Sequence, residues 1–319
     1  MRDLLRDAIE SLYEQTYPRD RYEIIVVDNS STDGTDEMMR SMQDKSESAL
    51  WYYRKKNEGP GSSRNLGIEK AKGSIIAFTD SDCVADADWL KNGVAGMTEG
   101  IGLVQGKTLP NPGQKRGTFS RTQSVTGENG MYPMCNVFYR KDILDKVGGI
   151  SPDFCGLNCL GNPRWGGEDT DLAWRVKKLG WKSVFAEEAV IYHHIFPLRP
   201  WQAVIGFRKY QFQGLFFAVP HLLKKHPELR RHMYYRYFLS RKKALFDIFF
   251  LSILSGILIH RVFFLFALPY VVESRDAFLG RPLKDYHRGV VMVITRVLSD
   301  FVDFILLLSG SIWNRSIIL

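Results

Sequence analysis

Apolar and polar positions change rhythm several times along the chain. Over 3–15, Leu4, Leu5, Ala8, Ile9, Leu12 and Tyr13 recur at three- and four-residue spacing, predicting an amphipathic helix. The rhythm breaks at "YPRDRY" and gives way to "EIIVVD" (23–28), a short β-branched apolar run that predicts a buried strand. "NSSTDGT" has the residues of a turn that caps a helix over 33–43, and "LWYYRK" (50–55) reads as a second strand. A glycine-rich loop, "NEGPGSSRNLGIEKAKG", leads into another helix that Gly73 is placed to stop, and "SIIAFTDSD" is a third strand. Strands alternating with helices of this length predict an α/β domain with a mostly parallel sheet.

Further on, 105–128 is polar and rich in Gly and Pro, which predicts a mobile loop. "MCNVFYRKDILDKVGGI" reads as strand, helix and a Gly-Gly stop. "GGEDTDLAWRVKKLGW" reads as a helix with acids in its first turn and Lys177 and Lys178 in its last, the order the helix dipole favours. "SVFAEEAVIYHH" is the last expected strand. Beyond about 215 the character changes, which sets the expected domains at 1–215 and 216–319. Residues 244–259 and 262–272 are apolar but shorter than the roughly 20 residues that span a bilayer. Residues 290–313 are long enough but carry Arg296, Asp300 and Asp303. Such segments fit a re-entrant hairpin, tilted spans or helices lying in a membrane interface, with a buried helical subdomain as the alternative.

Composition sharpens this division. The 319 residues are 45% hydrophobic and carry a formal charge of +8, unevenly placed. Between 224 and 243 stand Lys224, Lys225, Arg230, Arg231, Arg236, Arg241, Lys242 and Lys243 against one acid, Glu228. Cations beside an apolar stretch point to anionic lipid head groups rather than nucleic acid. The cysteines Cys83, Cys135, Cys155 and Cys159 are too few for a disulfide framework and are expected as reduced thiols.

The candidate chemistry begins at the end of the third strand. Asp80 and Asp82 repel each other unless a cation shares them, and hard divalent ions take oxygen ligands and bridge to phosphates. A metal–diphosphate site is one reading; a capped turn is the other. Glu168 and Asp169, taken alone, are ordinary acids at a helix start. Trp165 beside them is placed either to stack on a sugar ring or to pack in the core, and one of His193 and His194 faces inward whichever role it has.

"EIIVVDNSSTDGT", "NEGPGSSRNLGIEKAKGSIIAFTDSDC", "VGGISPDF" and "GGEDTDLAWRVKKLGW" occur in this order, and the set resembles the family 2 glycosyltransferases with the GT-A fold, over residues 1 to about 195. The resemblance implies a Rossmann-like, mostly parallel sheet and a C-terminal helical, membrane-associated region outside the shared part. It implies that Asp28 and Ser30 meet the nucleotide base, and that Asn57, Gly59, Arg64 and Asn65 lie under the nucleotide. It further implies that Asp80 faces the ribose or the metal, Asp82 holds Mn²⁺ or Mg²⁺, and His193 or His194 touches the metal or the diphosphate. The resemblance also implies that in the Glu168–Asp169 pair the second acid acts as the catalytic base. A metal that neutralises a leaving diphosphate and a carboxylate that takes the acceptor's proton suffice for an inverting displacement.

One departure stands out. The family opens with a strand that this chain lacks, since Met1 falls at the start of the following helix. Its loss would leave neighbouring strands with unpaired backbone groups, each costing about 1–3 kcal/mol, and the expectation is that the natural chain starts upstream. The reading is therefore a membrane-associated glycosyltransferase with its catalytic domain in the cytoplasm. It would move sugar from a nucleoside-diphosphate donor to a lipid-linked or envelope glycan acceptor. A nucleotidyl- or phosphotransferase using the same metal–diphosphate geometry, and a non-catalytic membrane scaffold, are the alternatives.

Overall fold

The computed structural model describes residues 1–45, 49–117, 119–154, 166–199, 202, 212–277 and 286–318. The chain divides into two compact units, Met1–Pro197 and Leu198–Leu319, with the division ahead of the change in composition near 215.

The first unit opens with helix α1 (Arg2–Tyr13), whose Ala8 and Ile9 are buried. Strand β1 (Ile24–Asp28) follows, then α2 (Thr35–Lys45) and β2 (Leu50–Arg54). β1 and β2 pair in parallel, Ile24 opposite Leu50 and Asp28 opposite Arg54. Ile9, Ile24, Met38, Met39 and Leu50 form the core beneath them. Helix α3 (Pro60–Lys70) leads to β3 (Ile75–Thr79) and then β4 (Cys83–Ala85). Next come α4 (Trp89–Ala95), β5 (Ile101–Pro110), β6 (Ser120–Arg121), β7 (Asn136–Arg140) and α5 (Lys141–Val147). The unit closes with α6 (Glu168–Lys178), β8 (Lys182–His193) and β9 (Phe196–Pro197).

The expected mostly parallel sheet is not what forms. Five strands lie in the order β3-β7-β5-β8-β4, and only β5 with β8 is parallel. β3 with β7, β5 with β7, and β4 with β8 are antiparallel. The physical reason for the miss is that Val137, Phe138 and Tyr139 are all fully buried. A strand covered on both faces reads as a continuous apolar run whichever way it points. The 105–128 stretch is also more ordered than expected: Gln105–Pro110 extends β5, β6 pairs with β9, and Thr108 pairs with Val125.

Side-chain detail locks this sheet. Asn136, fully buried, donates through Nδ2 to Lys107 O (2.8 Å) and Ala189 O (2.9 Å), and its Oδ1 accepts from Trp89 Nε1 at 2.8 Å. A Cβ on Gly106 would stand 2.3 Å from that same Oδ1, so the glycine makes room for the amide where the β5–β8 register shifts.

β1 and β3 do not pair. Their starts are close, because Lys72 N donates to Glu23 Oε1 at 2.7 Å, and between them opens a cavity of about 670 Å³. It is lined by Ile25 and Val27 on one side and Ile76 and Phe78 on the other. Among the described residues, one edge of β1 and one edge of β3 have no strand partner.

The second unit is helical: α7 (Val219–Lys225), α8 (Arg241–Leu258), α9 (Leu268–Glu273) and α10 (Tyr286–Asn314). Ser240 caps α8 by accepting from Lys243 N at 3.4 Å. Lys243 Nζ donates to Asp300 Oδ1 at 2.7 Å and to Asp303 Oδ2, and Tyr270 Oη donates to Asp300 Oδ2 at 2.8 Å, tying α8, α9 and α10 together. Asp300 is thus bonded across helices. Among the described residues no helix is long and apolar enough to cross a membrane.

Candidate active site

The carboxyl ends of β1, β3 and β8 and the amino ends of α3 and α6 supply the candidate residues. At the end of β1, the buried Asp28 carboxylate accepts from Ser31 N (2.8 Å) and Tyr52 Oη (2.9 Å) and lies 3.5 Å from Arg54 Nε. Ser30, at φ 68°, donates its hydroxyl to Lys55 O. Asn57 Oδ1 accepts from Asn29 Nδ2 at 2.8 Å and from Gly59 N at 3.3 Å. Gly59, at φ 88°, caps α3, with Pro60 in the first helical position where no amide hydrogen is needed.

One turn into α3, Arg64 joins two of the sequence motifs. Its Nη1 donates to Glu168 Oε1 at 2.8 Å and its Nη2 to Asp80 Oδ1 at 3.1 Å. The planar fork of a guanidinium suits such a bridge. Asn65, expected beneath the nucleotide, has a structural task. Its Nδ2 donates to Ile150 O (2.9 Å) and its Oδ1 accepts from Ile150 N (2.7 Å). Arg175 of α6 reaches the same turn, donating to Val147 O and Gly149 O at 2.7 and 2.6 Å. The turn at 147–150 thus holds α3 and α6 in a fixed relation, and with them Arg64 and Glu168.

Helix α6 is launched by Gly166 and Gly167, both left-handed at φ 91° and 90°, a conformation glycine takes without strain. Glu168 is buried, with Oε1 on Arg64 and Oε2 lacking any partner among the described residues. Asp169 accepts from Thr170 N at 2.8 Å. Burial pushes the Asp169 carboxyl up to about 7, Glu168 adds to the rise, and the Thr170 amide and Arg64 oppose it. A half-buried carboxyl that titrates near neutrality is suited to taking a proton.

Beside this cluster, Asp82, Cys83 and His193 bring one ligand atom each within 4.8 Å of one another. His193 Nε2 lies 3.7 Å from Asp82 Oδ2. Its Nδ1 lies 2.8 Å from His194 O, which only accepts, so Nδ1 carries a proton and in the neutral ring the Nε2 lone pair faces the carboxylate. Two electron-rich atoms so arranged fit a cation between them, and an oxygen and an imidazole nitrogen suit a divalent ion. Burial raises the Asp82 carboxyl, His193 lowers it and Asp80 raises it further. Cys83 is a poor ligand because burial pushes its thiol far up, keeping it protonated. Asp80 lies outside the group, with Oδ1 occupied by Arg64. His194 is turned to Gln114, its Nδ1 2.6 Å from Nε2 of the amide. Trp165, Cys155 and Cys159 fall outside the described residues.

Sequence reasoning missed the supports: Gln114 and Thr122, which reach the two histidines from the 111–122 loop, and Arg175 with Gly149. Only the Gly-Gly pair at 148–149 left a signal, and it reads as a helix stop. It is one too, since Gly148 caps α5 at φ 74°.

Strands and helices so ordered, with acids from β3 and α6 meeting over α3, define a GT-A-type transferase domain. The chain belongs to the family 2 glycosyltransferases: residues 2–159 match the family described as Glycosyl transferase family 2. It is 30% identical over 206 residues to glycosyltransferase AglE of Haloferax volcanii, covering 61% of this chain and 63% of that one. It is 42% identical over 81 residues to a poly(ribitol-phosphate) beta-glucosyltransferase of Bacillus spizizenii, covering 25% and 13%. The chain therefore spans less than two thirds of the length of either relative. Among solved structures it resembles a mannosyltransferase of Pyrobaculum calidifontis determined with GDP-Man and Mn²⁺, at TM-score 0.55 and 16% identity over 99% of this chain and 84% of that one.

Proposed function

We propose that the chain transfers a glycosyl group from a nucleoside-diphosphate sugar to an acceptor hydroxyl in one inverting displacement. The observation that carries this is the Arg64 bridge, which brings Asp80, Glu168 and the adjoining Asp169 to one place. In this reading Asp169 accepts the proton of the attacking hydroxyl, and Glu168, held by Arg64, keeps α6 aimed at the sugar. Asp28, Ser30, Asn57 and Gly59 border the nucleotide. Asp82 and His193 hold a divalent cation, Mn²⁺ or Mg²⁺, which when bound supplies positive charge to the leaving diphosphate. This reading of the donor is supported by one neighbour determined with GDP-Man and Mn²⁺ and one relative named as a glucosyltransferase.

The acceptor in this reading is a lipid-linked or envelope glycan reached at a membrane. On α8, Leu251, Leu254, Ile257 and Leu258 are exposed, as are Ile294, Leu298, Ile305 and Ile312 on α10. So much exposed apolar area asks for an apolar partner. Helices too short or too charged to cross a bilayer are suited to lying in its interface, with the basic 224–243 segment on the cytoplasmic side.

Sugar nucleotides screened with Mn²⁺ or Mg²⁺ in membrane extract, following nucleoside diphosphate release, test the reading. Release with at least one donor, lost on chelation and restored by metal, is expected. Pyrophosphate release from a nucleoside triphosphate would favour a nucleotidyltransferase instead, and nucleotide binding without turnover would favour a scaffold.

A further inference from the structure

The most strained exposed segment of the second unit is the turn Tyr234–Phe238. Tyr234 N donates to Phe238 O (2.9 Å) and Phe238 N to Tyr234 O (3.0 Å). Within it Tyr235 and Arg236 are both left-handed, at φ 47° and 67°. Side chains resist that conformation, and two in succession persist only where surroundings enforce them. Here Arg230 does so: its Nη1 donates to Arg236 O at 3.1 Å, its guanidinium lies 5.6 Å from the Tyr237 ring, and its Nη2 reaches Ser316 Oγ at 3.3 Å.

The result is a fixed display of rings and cations. Tyr235 is 75% exposed, Tyr237 50% and Tyr234 36%. Arg231 and Arg236 are exposed around them, as are Lys224, Arg241 and Lys242 on the flanking helices. Through Ser316 the turn adjoins the end of α10, where Trp313 and Ile317 are also exposed. Tyrosine and tryptophan rings have an apolar body and a polar edge, which suits the head-group layer, and clustered Lys and Arg are drawn to anionic lipid.

We propose that the turn at Tyr234–Phe238 is a docking contact for an anionic bilayer surface, seating its rings at head-group level with the surrounding cations on lipid phosphates. The proposal rests on the membrane reading above and names the lipid chemistry and the residues that meet it. Glycine at 235 and 236 keeps the left-handed backbone and relieves its strain, so Tyr235→Gly/Arg236→Gly removes the side chains without endangering the fold.

The test is flotation of the full chain with phosphatidylcholine vesicles and with vesicles containing phosphatidylglycerol, for wild type and double variant, with thermal unfolding run on both. Expected are stronger wild-type binding to the anionic vesicles, weakening with salt, and at least a fivefold loss in the variant without a lower Tm. Equal partitioning of variant and wild type would overturn the proposal while leaving membrane association intact. Equal wild-type binding to neutral and anionic vesicles would overturn the lipid preference, and no binding to either would overturn both readings.

Discussion

Each unit contains one cation clamped between two carboxylates, and the two clamps differ. In the first, Arg64 spreads a planar fork over Asp80 and Glu168, and half-buried Asp169 stands beside it. In the second, Lys243 puts one ammonium between Asp300 and Asp303, and Tyr270 takes the remaining Asp300 oxygen. The helical clamp ties three helices together. The other joins two helices and a strand end, and among the described residues each clamp leaves one buried oxygen without a partner, Glu168 Oε2 and Asp303 Oδ1. A buried carboxylate oxygen with no donor is costly in a fold and useful in a site. Like charge patterns thus tie helices together in one unit and, in the reading proposed above, serve chemistry in the other, where Asp169 and the Asp82–His193 pair stand beside the clamp.

The sharpest break in this comparison is Asp169→Asn. Transfer should fall by roughly 10²–10⁴ while donor binding persists, as read by nucleoside diphosphate release and nucleotide titration. Transfer near the wild-type rate would remove Asp169 as base. Next, Lys243→Met leaves Asp303 buried without its cation, and Asp300 with Tyr270 alone, and should cost about 3–5 kcal/mol of stability in denaturant unfolding, with transfer per folded molecule unchanged. Arg64→Lys inverts that pattern: the charge remains and the fork is lost, so transfer should drop by roughly tenfold, about 1.4 kcal/mol, with little change in Tm. A larger effect on unfolding than on transfer would make Arg64 another packing clamp.

Smaller is the effect of pH. Asp169 holds its proton more tightly folded than unfolded, so its contribution to stability falls as pH rises from about 4 through about 7. Transfer should climb over the same window as the base ionises, and a flat pH–rate profile would dissociate Asp169 from proton transfer. Last, lengthening the chain at its amino end with a strand-forming segment should raise soluble yield and Tm if it fills the cavity between β1 and β3. Equal values would show that the cavity is not a strand's place.

Much of this was legible from local pattern. "EIIVVD", "LWYYRK" and "SIIAFTDSD" became β1, β2 and β3 because β-branched and aromatic runs bounded by turn residues have few other ways to be buried. Helix α6 was legible from its acids first and bases last. Strand direction was not, because Val137–Tyr139 are buried on both faces whichever way they run. The pairing of Asp80 with Glu168 was not legible either: 88 residues separate them, and only Arg64, between them in space, closes the distance. Asn65 looked like its neighbours in the glycine-rich loop, and nothing local showed that its amide bonds the turn at Ile150, 85 residues on.

That turn has a mechanical consequence. A methyl group on Gly149 would sit 2.5 Å from Asn65 Oδ1, and Gly149 is itself left-handed at φ 63°. Any side chain there would have to push on α3, one residue from the guanidinium that gathers the acids. A lesion that touches no ligand would thus travel as a displacement of the helix and emerge as misaligned chemistry, making this paired-glycine turn a fulcrum rather than a spacer.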